Sequence, residues 1–141
     1  MGVGAGLGGP HRDDMQLVTI KRRADFLRVR GGLRASVTAF ALEAKARDAA
    51  VKPQVTPPCA RFGFTVTKKL GNAVVRNRIK RRLREAVRHS ASPYCRPEFD
   101  YVLVARAPAL GRDFADLKVD LVSALKRLHA KDQPARAPAL D

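Results

Sequence analysis

The side chains of this chain that can do chemistry are mostly cations, and they are unevenly spread. Residues 61–88 read RFGFTVTKKLGNAVVRNRIKRRLREAVR. They hold ten of the 28 Lys and Arg residues (Arg61, Lys68, Lys69, Arg76, Arg78, Lys80, Arg81, Arg82, Arg84, Arg88) against one acid, Glu85. A net charge of about nine in so short a stretch repels itself unless an anion neutralises it, and nucleic acid is the usual anion. Most of these cations are Arg, whose planar fork suits bidentate phosphate contacts. A surface helix held by ion pairs would interleave acids at i,i+4 spacing, and Glu85 alone cannot supply them.

No set of residues for protein-borne catalysis accompanies the cations. General acid–base cleavage needs two positioned titratable groups. The acids here are scattered at Asp13, Asp14, Asp25, Glu43, Asp48, Glu85, Glu98 and Asp100, then along the last helix. His89 closes the basic stretch, where a helix C-terminus favours a cation, and His11 and His129 lie near ends expected to fray. Cys59 and Cys95 form no CxxC pattern and have no nearby His pair. They suggest neither a zinc site nor a disulfide framework, so a reducing cytoplasm is the expected compartment.

These cations need elements to position them. Residues 61–68 alternate as a strand, with Phe62, Phe64 and Val66 on one face and Gly63, Thr65 and Thr67 on the other. Lys-Lys-Leu-Gly then turns the chain, and Asn72 is a candidate N-cap. From Ala73 the period becomes helical: Val75, Ile79, Leu83, Ala86 and Val87 form an apolar stripe. Asn77, Lys80, Arg81, Arg84 and Arg88 cluster opposite it, with Arg76 and Arg78 at its flanks.

Around this unit, 22–30 is a predicted short helix ended by Gly31 and Gly32. Residues 36–44 form a predicted strand with Thr38, Phe40 and Leu42 on one face. Residues 99–106 are apolar on both faces, as a central strand would be. The last helix starts near Asp113, with Asp116 as a short capping box. Its core stripe is Leu117, Leu121, Leu125 and Leu128, and Asp120 lies near its N-terminal end, as the helix dipole prefers. The order α-β-β-α-β-α predicts an α+β sandwich with helices packed on a small sheet.

The run from Gly63 to Arg81, GFTVTKKLGNAVVRNRIKR, resembles the signature of the bacterial ribonuclease P protein subunit. In that family a strand ending in Lys-Lys leads through Gly-Asn-Ala-Val into an Arg-Asn-Arg helix. The likeness is dense over about twenty consecutive positions and extends more loosely from about Leu17 to His129. It implies a four-stranded sheet, like the second domain of a small-subunit ribosomal protein, with a left-handed β-α-β crossover against the usual hand.

The resemblance further implies an accessory role. In the holoenzyme the RNA subunit holds the catalytic Mg²⁺ and removes the 5′ leader of precursor tRNA. The protein binds no cofactor itself and has no catalytic residue. Lys68, Lys69, Asn72, Arg76, Asn77, Arg78, Lys80, Arg81, Arg82 and Arg84 match the region expected to face the catalytic RNA. A second surface, a cleft for the single-stranded leader, would be made by Phe26, Arg30, Phe40 and Thr65. Aromatics suit an unpaired leader because every base has a π-face. Family members often carry a second aromatic where this chain has Arg30, which can itself stack or bind phosphate. The implied partners are the catalytic RNA and precursor tRNA, with one monomer per RNA. A non-catalytic ribosomal or assembly-type RNA binder is the alternative, since charge and fold would look the same.

The chain's 141 residues and net charge of +15 fit one basic domain with a polyanionic partner. No apolar run is long enough for a membrane span. The domain is expected to cover 15–130, between a Gly-rich N-terminal extension (1–14) and a Pro/Ala-rich tail (131–141), both expected to be disordered. Met15 stands where family members begin and is a candidate start. Residues 45–59 read as a long hairpin loop with no assigned function.

Overall fold

The computed structural model describes residues 17–47 and 59–131. The expectations for 1–14, for Met15, for most of the 45–59 loop and for the chain after Lys131 lie outside the described residues. The elements in order are α1 (Arg23–Val29), β1 (Leu33–Ser36), β2 (Phe40–Ala46), β3 (Arg61–Thr65), α2 (Ala73–Ser90), β4 (Phe99–Ala105) and α3 (Phe114–Lys131). Short 3₁₀ turns, Lys68–Leu70 and Ala107–Ala109, precede α2 and α3. The sheet runs β1-β2-β4-β3, antiparallel except for the β3–β4 pair, which α2 connects as a crossover.

One expected strand is a hairpin. Residues 36–44 split at Thr38 and Ala39, where the Val37 N–H donates to the Phe40 carbonyl at 2.9 Å. No Gly, Asn or Asp marks this turn, so the usual hairpin signal is missing. The other expected elements stand where the periodicity puts them. β4 is central, and its apolar residues are buried on both faces because helices cover both.

The register sorts the side chains. Phe40, Leu42, Phe62, Tyr101 and Leu103 point to one face, beneath Ile79, Leu83, Ala86 and Val87 of α2 and the leucine stripe of α3. Phe62 and Tyr101 stack there with ring centroids 5.0 Å apart. The Tyr101 hydroxyl accepts from the Arg96 N–H at 2.8 Å and lies 2.6 Å from His129 Nε2. Burial pushes that phenol well above its ordinary pKa. His129, expected near a fraying end, is therefore a core residue, set edge-on to Phe99. Asp120 serves less the helix dipole than an ion pair with Arg112 at 2.6 Å. Burial also pushes the Cys95 thiol up to about 11, which keeps it protonated at neutral pH.

The opposite face holds a smaller cluster, Ile20, Val29 and Val102 with Phe26 and Val104, beneath α1. Both sheet edges are partly covered. At β3 the Phe62 N–H donates to the Val18 carbonyl and the Ile20 N–H to the Phe62 carbonyl, each at 2.9 Å. At β1, Arg127 and Lys131 of α3 donate to the carbonyls of Ser36 and Arg34.

Candidate nucleic-acid interface

The entry into α2 explains the Gly-Asn pair. Gly71 has φ 143°, the left-handed region that favours glycine, and a Cβ there would meet Val75 at 2.9 Å. Asn72 is the N-cap: the Val75 N–H donates to its Oδ1 at 3.0 Å. The cations of α2 then divide by helical position. Arg76, Lys80 and Arg84, four residues apart, share the side next to β3. There the Arg76 Nε donates to the Gly71 carbonyl, and the Arg84 guanidinium lies 5.8 Å from the Phe64 ring centre. Asn77, Arg78 and Arg81 are exposed, as are Lys68 and Lys69 in the turn before.

Arg82 is placed differently from the other helix cations. It faces α3 and donates to the carbonyls of Ala109 and Arg112. Its charge is engaged in holding α2 to the segment before α3. It is therefore a poor candidate for RNA contact, although the motif includes it.

On the α1 side of the sheet lies a groove of about 730 Å³. Phe26, Arg30 and Thr65 line it, as the resemblance implies. Phe40 does not. It is fully buried on the other face of the sheet, because the strand's period of two puts it with Leu42 in the main core. Glu43 and Val102 take the floor positions instead, while Lys21, Arg23, Arg34 and Lys80 add cations around the groove. Phe26 packs one edge of its ring against Gly63: a Cβ there would come within 2.5 Å of it. The glycine of the strand motif is thus what lets the aromatic sit on the sheet.

A buried ion cluster, missed by sequence reasoning, fixes α1 over this groove. Asp100, fully buried on β4, accepts from Arg28 of α1 at 2.7 Å and from Arg47 at 2.7 Å. It also accepts two bonds from Arg61 of β3, at 2.8 and 2.6 Å. Asp25 of α1 stands 3.5 Å from Arg61. Burial alone would raise the pKa of the Asp100 carboxyl. The hydrogen bonds from Arg61 and Arg47 outweigh it and hold the group below the usual carboxylate range. The same bonds raise Arg61.

The Ribonuclease P family model matches residues 16–129. This chain belongs to the ribonuclease P protein family. The ribonuclease P protein component of Bartonella quintana is 49% identical over 109 residues, covering 76% of this chain and 80% of that protein. Its counterpart from Brucella suis is 42% identical over 119 residues, covering 84% and 82%. Among solved structures, the RNase P protein of Staphylococcus aureus superposes with a TM-score of 0.61 at 29% identity, covering 79% of this chain and 95% of that one. That of Thermotoga maritima gives 0.62 at 25% identity, covering 77% and 96%. The chain is thus a ribonuclease P protein subunit, and its part in tRNA 5′ maturation follows from the family. This rules out the ribosomal or assembly-type alternative. Among the described residues no helix is long and apolar enough to cross a membrane.

Proposed function

We propose that this subunit is the non-catalytic partner of an RNA that performs the hydrolysis. The outer side of α2 and the Lys68–Lys69 turn lie against that RNA, and the groove holds the unpaired leader of precursor tRNA. One observation carries this reading: Lys80 belongs both to the cationic row of α2 and to the groove lining. A structured RNA and a single strand leaving it can therefore be held side by side. Among the described residues the groove's one acid, Glu43, is paired with Arg34, and cations make up most of the charge around it, which fits binding of a polyanion. Magnesium belongs to the RNA in this scheme, with one copy of the protein per RNA, in the cytoplasm.

The direct test is reconstitution. Added to a bacterial ribonuclease P RNA at low Mg²⁺, the protein should raise precursor tRNA cleavage, while alone it should cut nothing. RNA-free cleavage by a clean preparation would overturn the accessory role.

The basic face has its own test. Arg78 and Arg81 are exposed and make no bond among the described residues. The double change Arg78→Ala/Arg81→Ala should leave stability within about 0.5 kcal/mol. It should weaken binding to the catalytic RNA and flatten the log–log salt dependence by about 0.7–0.9 for each phosphate no longer neutralised. Unchanged affinity and slope would mean that this face is merely solvated.

A further inference from the structure

Helix α3 carries a second apolar row besides its leucine stripe. The leucines face the sheet, whereas Ala115, Val119 and Val122, at i, i+4 and i+7, lie on the outer side, and Val119 is 65% exposed. With Ser123 and with Ser90, the last residue of α2, they line a shallow groove of about 630 Å³. Lys118 and Lys126 complete that lining and are fixed by neighbouring rings. The Lys118 Nζ lies 5.2 Å from the Phe114 ring centre, and the Lys126 Nζ 5.2 Å from that of Tyr94. Their positions are two helical turns apart, or about 12 Å along α3. Among the described residues no acid lines this groove. An apolar floor between two placed cations is the complement of an apolar surface between two acids.

We propose that this face of α3 docks an acidic amphipathic helix of a partner protein. The partner lays aliphatic side chains at i, i+3 or i+4 spacing on Val119 and Val122. Its carboxylates, two turns apart, meet Lys118 and Lys126. The small side chains of Ala115 and Ser123 let the second helix approach closely. RNA fits this face less well, because phosphates gain nothing from an apolar floor. A second copy of the chain fits less well too, since its net charge of +15 sets cation against cation. The face shares no residue with the groove beneath α1 and takes only Ser90 from α2. Through α3 the subunit therefore tethers an acidic protein without giving up either RNA surface.

The experiment measures binding of labelled helical peptides to the reconstituted holoenzyme by fluorescence anisotropy, at about 0.15 M salt to screen unspecific attraction. One peptide carries two Glu residues two turns apart with Leu between them on the same face. A second has the same composition, scrambled so that Glu and Leu no longer share a face. The first should bind at least about tenfold more tightly than the second. Val119→Asp should remove that difference. Lys118→Glu/Lys126→Glu should transfer the preference to a third peptide with Lys in place of the two Glu, a gain that loss of fold cannot produce. Thermal unfolding establishes that each variant is folded. Equal binding of the first two peptides, no binding of either, or a preference that survives in Val119→Asp would overturn the proposal. So would excess catalytic RNA or anionic phosphatidylglycerol vesicles stripping the peptide, or sedimentation showing dimers that Val119→Asp disperses, since the face would then belong to that other occupant.

Discussion

Replacing Asp100 with alanine should destabilise the protein by about 3–5 kcal/mol, the scale for removing one partner from a buried charge cluster. Arg28, Arg47 and Arg61 would lose the carboxylate they share, with Asp25 the acid left beside Arg61. Since Arg28 is the link from α1 to β4, the variant should also lose leader-dependent affinity even at temperatures where it stays folded. The effect has a pH signature. The native Asp100 carboxyl is depressed, so its contribution is fully present above the unfolded-state pKa of about 3.9 and is lost as pH falls through the lower native value. The stability gap between the unaltered protein and Asp100→Asn should thus stay constant from neutrality to about pH 5 and close only in stronger acid. Urea unfolding across that range measures it. A gap below about 1 kcal/mol at neutral pH would mean that the cluster's desolvation cancels its attraction.

Phe40→Ala should cost the fold about 3–5 kcal/mol, as truncation of a fully buried Phe does. It should weaken leader-bearing and leaderless tRNA alike, because the side chain lies on the face away from the groove. Phe26→Ala is the contrasting case: a loss of about 1–3 kcal/mol confined to substrates with a leader, the scale of one base–aromatic stack. Thermal unfolding paired with holoenzyme affinity for both substrates separates the two. A leader-specific loss at Phe40 would refute the assignment of its face.

Much of the fold is legible in the sequence because local period carries it. The alternation at Phe62, Gly63, Phe64 and Thr65, the stripe from Val75 to Val87 and the leucines of α3 all fall on the faces that the spacing predicts. The limits are equally physical. A period of two says that Phe40 and Leu42 share a face, but not that α1 covers the other one. Sequence reasoning therefore puts Phe40 on the wrong side and passes over Glu43. The partners of Asp100 lie 72, 53 and 39 residues away, and no spacing rule brings them together. Arg82 looks like its neighbours until the fold turns it toward α3.

The caps on the sheet edges bear on how the molecule survives before it meets RNA. A strand edge with bare carbonyls and amides is a template on which another chain can zip. Here Arg127 and Lys131 already occupy the outward carbonyls of β1, and the residues ahead of α1 lie along β3. These bonds occupy backbone groups that self-association would need. A variant carrying Arg127→Ala and Lys131→Ala would bare the β1 carbonyls while keeping Leu128 and His129 in the core. Its RNA-facing helix would be intact, and its tendency to stack into oligomers would rise.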